Sequence, residues 1–242
     1  MIKHNSKQTP SSNSDSGFTI IESILGLLVA AILLAAISPI LVISTSVRVQ
    51  SRRIEKATQV ANTFIDGVRT GSIKAPSEYS SDNKIELDAA TKDAPRTLSQ
   101  SLITLTTMPV PTNSTKTNLY LFRKDGSICH VSETGCTTDS NNTFEEYYIQ
   151  ARQIIVKSSG SSDGYRLAMR VYRTDVDFAK PLLASESPNK RSVSPVTGGL
   201  GNKQAPLVER TADVGNISTS FQALCQRLGI APDKDGKAQN CQ

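Results

Sequence analysis

The segment Ile24–Ile43, ILGLLVAAILLAAISPILVI, holds twenty consecutive residues without a charge. At about 1.5 Å of rise per residue a helix of that length covers ~30 Å, the hydrocarbon thickness of a bilayer. A cleavable secretory signal would have a shorter apolar core and a small-residue cleavage site followed by polar chain, and neither is present here. A lipoprotein is excluded because no cysteine follows the run. The run therefore reads as a retained membrane anchor. Pro39 removes one backbone hydrogen bond and is expected to kink this helix rather than end it.

The helical pattern continues past the anchor. Val47, Ile54, Ala57, Val60, Ala61, Phe64, Ile65 and Val68 recur at threes and fours and make one apolar stripe. Arg48, Arg52, Arg53, Glu55 and Lys56 lie largely off it. Gly71 supplies a stop signal and Pro76 follows. One helix is thus predicted from Phe18 to about Thr70, on the order of 80 Å long. Its first half is apolar all round and its second half amphipathic.

Glu22 interrupts this logic, because it stands at the start of the apolar run in GFTIIES (Gly17–Ser23). A charged side chain at the bilayer centre costs roughly 2.5–3.5 kcal/mol on insertion scales, and less near a helix end. No cation lies within a helical turn of Glu22. A cut between Gly17 and Phe18 would create an α-amine one turn ahead of it. Glu22 could then pair with that amine in its own chain or in a neighbour, and would become a docking device that exists only after processing.

The residues that carry this argument resemble the N-terminus of type IV prepilins and type II secretion pseudopilins. They comprise a short polar leader with Lys3 and Lys7, then Gly17, Phe18, Thr-Ile-Ile, Glu22 and an apolar helix, over about the first 55 residues. Pro39 falls where many members carry a helix-kinking proline. The resemblance implies that a prepilin peptidase cuts after Gly17 and methylates Phe18, and that Glu22 guides assembly. It also implies the partners: other pilin or pseudopilin subunits, an assembly ATPase and a platform protein. The stretch RVQSRRIEKATQVANTFIDGVRTGSI (Arg48–Ile73) is similar to pseudopilins linked to hormogonium polysaccharide secretion in filamentous cyanobacteria.

The expected divisions are a cleaved leader (1–17), a membrane and assembly helix (18–43), its amphipathic continuation (44–71) and an outward-facing β-rich head (72–242). The localisation implied is the bacterial cytoplasmic membrane, single-pass, with the head in the periplasm or at the cell surface. A bare count opposes this orientation, since Arg48, Arg52, Arg53 and Lys56 outnumber Lys3 and Lys7. The cysteines favour it. All four, Cys129, Cys136, Cys225 and Cys241, lie in the head. They form two sequence-local pairs without CxxC spacing, as expected for disulfides in an oxidising compartment. The pairing 129–136 and 225–241 is expected, with three connectivities formally open. A 225–241 bridge would pin the tail onto the helix before it.

In the head, alternation predicts strands at Lys84–Asp88 and Ser99–Thr107. Asn118–Phe122, Asp125-Gly126 and the SICHV stretch read as a hairpin. Glu146–Lys157 and Tyr165–Arg173 form the strongest strand pair. Asn216–Leu228 reads as a helix with Phe221, Leu224, Cys225 and Leu228 on one face. Ser185–Ala205, rich in Ser, Pro and Gly, reads as a mobile loop. The fold class expected is α+β and pilin-like, with one long helix on an antiparallel sheet of four to five strands.

No catalytic constellation is evident. There are two histidines, His4 in the leader and His130, read as a surface strand residue. No P-loop, GxSxG or GxGxxG occurs. Asp175-Val-Asp177 reads as strand-end polarity and Asp233-Lys-Asp235-Gly236 as a turn. No enzyme activity, cofactor or metal is expected. The net charge of +5 is scattered and indicates no nucleic-acid partner. The function expected is a minor pilin or pseudopilin, a filament subunit supporting secretion, with polysaccharide export and gliding motility as its setting. The alternative is a filament-tip binding module, an adhesin or DNA-uptake subunit, using the loops at Thr112–Thr117 or Ser185–Ala205.

Overall fold

The computed structural model describes residues 19–89, 103–139, 141, 144–157, 159, 160, 163–186, 192, 193, 201–215, 219–228, 235 and 237. The chain forms two compact units, Met1–Thr45 and Ser46–Gln242. In the first, helix α1 (Ile20–Thr70) begins. The Thr19 hydroxyl accepts the Glu22 amide at 3.3 Å, satisfying one of the N–H groups that a helix start leaves unpaired. The helix assignment runs through Pro39 without a break.

The second unit is built on the amphipathic half of α1. Ala57, Val60, Ala61, Phe64, Ile65 and Val68 are buried there, so the predicted stripe is the core-facing one. They pack on Tyr120, Phe122, Tyr147, Ile149, Ala151, Leu167, Met169 and Val171 of the sheet. At ~1.5–3 kcal/mol per buried side chain, the helix contributes on the order of 10 kcal/mol before conformational entropy opposes it. Gly71 ends the helix with φ +74, and Ile73 donates back to the Gly67 carbonyl at 3.0 Å. A short helix α2 (Pro76–Tyr79) follows with Pro76 in its first turn.

The sheet has six strands: β1 (Lys84–Leu87), β2 (Tyr120–Phe122), β3 (Ile128–His130), β4 (Tyr147–Val156), β5 (Tyr165–Arg173) and β6 (Val208–Val214). The order is β3-β2-β4-β5-β6, antiparallel throughout. β1 pairs in parallel with Gln153–Val156 of β4. β5 lines one edge of β4, so β1 and β2 share the other end to end. The architecture is the expected α+β layout with one long helix on a sheet, and six strands replace the expected four to five.

The other differences have local causes. Thr104–Thr107 is a turn and not a strand, because the two threonine hydroxyls bond each other at 2.8 Å and cap each other's amides. β6 carries Glu209, Arg210 and Asp213 between its apolar residues and lies at the sheet edge, which hides its period. Helix α3 (Phe221–Leu228) starts later than Asn216. Phe221 is exposed, Leu224 and Cys225 are half-buried, and the buried side chains among those described in this helix are Ala223 and Arg227. Arg227 Nε donates to Asp213 at 3.0 Å. Most of 185–205 lies outside the described residues, but described parts of it are held: Val193 donates to the Pro206 carbonyl, and the Gln204 carbonyl accepts from Leu183.

Both faces of the sheet are covered. On the face away from α1, segment 103–110 lies over β4 and β5 and is held by polar side chains. Arg170, fully buried, donates to Glu209 at 3.0 Å, to Gln150 at 3.2 Å and to the Thr104 and Met108 carbonyls. Gln150 and Arg152 donate to the Pro109 and Thr107 carbonyls.

Candidate functional site

The first unit presents the candidate site. From Thr19 to Thr45 the apolar side chains are exposed, among them Ile21, Leu25, Leu28, Ile32, Leu41 and Ile43. Soluble domains bury such a run, because apolar area left in water is destabilising by roughly 25 cal/mol per Å². This is one helix long and apolar enough to cross a membrane. Glu22 lies in its first turn, exposed, and forms no ion pair among the described residues. The helix start uses the Glu22 amide and leaves its carboxylate unengaged. Gly17 and Phe18 lie outside the described residues.

In the second unit the Cys129–Cys136 disulfide is formed, closing a loop behind β3. Cys225 is also disulfide-bonded, and Cys241, its expected partner, lies outside the described residues. Asp233 and Gly236 lie outside them too. Asp175 and Asp177 are strand-end residues: Asp175 pairs with Arg173, and Asp177 accepts from the Ala179 amide at 3.0 Å.

His130 is not a surface residue. It is 2% exposed and stacks on Tyr79 with ring centroids 3.7 Å apart. Tyr120 meets the same imidazole edge-on at 4.9 Å. The Tyr79 hydroxyl donates to Glu133 at 2.6 Å, and the Tyr120 hydroxyl to the Lys74 carbonyl at 2.8 Å. Burial pushes the His130 pKa down, and Glu133 opposes this weakly. The Tyr79 hydrogen bond lowers the pKa of Glu133. His130 Nδ1 lies 2.6 Å from Ser132 Oγ, but Nε2 is buried with no hydrogen-bond partner. A serine–histidine–acid relay needs an acid on the second ring nitrogen, and here there is none. The cluster is a packed aromatic corner. Its only sequence signal was Tyr120 and His130 opposite each other in the hairpin register.

Arg53 is likewise on the buried face of α1, not off it. It is 8% exposed, with its guanidinium carbon 4.3 Å from the Phe144 ring centre. Burial, then Arg173, lowers its pKa. Gln50, one turn earlier, is buried with neither amide atom hydrogen-bonded.

A hollow of about 330 Å³ beside the end of α1 is lined by Val68, Lys74, Glu78, Tyr165 and Val214 among others. It carries both signs of charge and no nucleophile–base pair. Among the described residues no group of three or more His, Cys, Asp or Glu side chains could hold a metal ion. No protein-family model, curated protein or solved structure matches the chain.

Proposed function

We propose that the chain is a prepilin-type filament subunit: anchored in the cytoplasmic membrane by α1, cut after Gly17, methylated at Phe18, and assembled through its apolar helix. One observation carries this reading. A single helix supplies both an apolar segment with every described side chain exposed and, further on, the core stripe of the sheet-bearing unit. The exposed segment needs a cover, and a bilayer before assembly and neighbouring helices after it would both serve. Helix packing in such a core is driven by van der Waals contact and by satisfaction of polar groups. The carboxylate of Glu22 is the polar group, and an α-amine at Phe18 would be its counter-charge.

A prepilin peptidase, an assembly ATPase, a platform protein and other pilin or pseudopilin subunits are the partners this reading requires. The resemblance of Arg48–Ile73 to polysaccharide-secretion pseudopilins supports a pseudopilus-like machine for polysaccharide export and gliding as its setting. It is a minor subunit in this reading.

Glu22→Ala tests the reading. The variant is expected to insert in membranes and keep its folded head, while its recovery in sheared filaments falls to background. Normal incorporation of the variant, or filaments whose subunits still carry residues 1–17 by mass spectrometry, would refute it.

A further inference from the structure

The outward face of α1 just beyond the anchor is positively charged and unpaired. Arg48, Arg52 and Lys56 follow one another at one-turn intervals and are exposed, while Gln50, Arg53, Ala57 and Val60 face the core. None of the three forms an ion pair among the described residues. Some other cations of this unit do: Lys84 with Glu86, Lys124 with Glu145, Lys157 with Asp88, and Arg173 with Asp175. Lys56 is partly engaged over the Phe122 ring at 5.9 Å, which leaves Arg48 and Arg52 the freest. Glu55, also exposed, shares this face three residues after Arg52, and further along it the cations give way to Gln59, Asn62, Thr63 and Asp66. The excess of positive charge is therefore confined to Arg48 and Arg52, the turns nearest the apolar run.

We infer that Arg48 and Arg52, with Lys56 behind them, bind the phosphates of anionic phospholipid headgroups on the side of the membrane that carries the head. This rests on the reading of α1 as a membrane anchor. Arg48 follows Ile43 by five residues in the same helix, so its Cα lies ~7–8 Å beyond the apolar run, and that of Arg52 ~13–14 Å. The polar layer of one leaflet is about 5–8 Å thick. Helix side chains lean toward the N-terminus, here toward the membrane, and an arginine stem can lie along the helix while its head stays polar. Both guanidinium groups can therefore reach phosphate level. Their planar forks suit bidentate phosphate binding better than ammonium groups do. These same cations set the positive-inside count against the orientation proposed above. A headgroup partner gives them a role on the outward side.

The test uses the full chain in mild detergent micelles, titrated with phosphatidylglycerol or with phosphatidylcholine, with retained lipid read by native mass spectrometry. Each cation near an anionic surface contributes about fivefold in association. Wild type is expected to prefer phosphatidylglycerol by about 25-fold, and R48Q/R52Q to lose most of that preference. K84Q/K124Q, which removes two paired cations of the same unit, is expected to keep it. An unchanged preference in R48Q/R52Q, or an equal loss in K84Q/K124Q, overturns the proposal. So does a variant with wild-type lipid preference that no longer crosslinks to a second copy, since the cations would then serve a neighbouring chain. Alkaline extraction of the wild-type chain from membranes is a separate readout: a chain released by carbonate was never anchored, and it is the membrane reading that fails.

Discussion

Arg170→Met is the sharpest probe of how the head is held together. Methionine has similar length and no charge, so it leaves little cavity but strips the polar clamp. Arg170 is fully buried and bonds Glu209, Gln150 and two carbonyls of segment 103–110. Removing it leaves the Glu209 carboxylate, 13% exposed, without a counter-charge. Breaking one side of a buried ion pair costs about 3–5 kcal/mol. Glu209 retains the Ser185 amide as a donor at 3.0 Å, which moderates the loss. The expected cost is therefore roughly 3 kcal/mol, at the low end of that range. Urea unfolding of the full chain in micelles, followed by tyrosine near-ultraviolet circular dichroism, would read it. Adding Glu209→Gln should restore part of the loss, because the stranded charge is then gone; a coupling of about 1–3 kcal/mol is the signature of residues in one network. A single variant that loses less than about 1 kcal/mol, with no coupling to position 209, would show that segment 103–110 is held by its apolar contacts and not by the clamp.

Two further perturbations test the head from other sides. Burial lowers the folded-state pKa of His130 below its ordinary 6.5, so the unfolded chain binds the extra proton. Stability should be full above about pH 6.5 and fall as pH drops toward the folded pKa, with a second loss below about 4.5 as Glu133 is protonated. A His130→Phe variant should lack the first step in a urea midpoint series and retain the second; an unchanged first step would show that another group titrates there. The glycines give a graded pair. Gly71→Ala meets open space at φ +74 and should cost about 1–2 kcal/mol, the left-handed penalty alone. Gly164→Ala, at φ +72, would place its Cβ 2.4 Å from the Val214 carbonyl oxygen, so β6 must move and the loss should be larger. Equal thermal shifts for the two would refute the close approach at Gly164.

What could be read from sequence was what repeats locally. The stripe from Ala57 to Val68 has a helical period, and β4 and β5 are long runs of β-formers, so each announced itself. The strand expected at Lys84–Asp88 is β1, but its parallel pairing with β4, over 60 positions away, was not legible, and β6, a charged edge strand paired with residues about 40 away in β5, was missed. Buried polar groups were misread for the same reason. Arg53 and His130 look like surface residues in sequence, and Phe144 and Tyr79, brought to them by the fold, make their burial tolerable. Of the candidate site, the apolar helix was legible because it is one uninterrupted run, Ile24–Ile43, whereas Gly17 and Phe18 lie outside the described residues.

The role of Glu22 turns on magnitudes. The start of α1 offers a local reason for a polar residue there, because Thr19 caps the Glu22 amide. That bond uses the backbone and would survive any side chain at position 22. The carboxylate itself gains about 0.3–1 kcal/mol from the helix dipole while exposed to water. Transfer toward hydrocarbon costs up to roughly 2.5–3.5 kcal/mol, which the dipole cannot offset. An acid that stays at the water interface thus needs no partner, whereas one drawn into a packed helix core needs a cation within about 4 Å. Depth therefore separates an ordinary helix start from a docking residue. Glu22→Gln keeps the size and the amide cap and removes only the charge, so it should spare insertion and still fail to assemble if an α-amine is the partner. Assembly of Glu22→Gln at the wild-type level would mean that the residue acts only as a helix start.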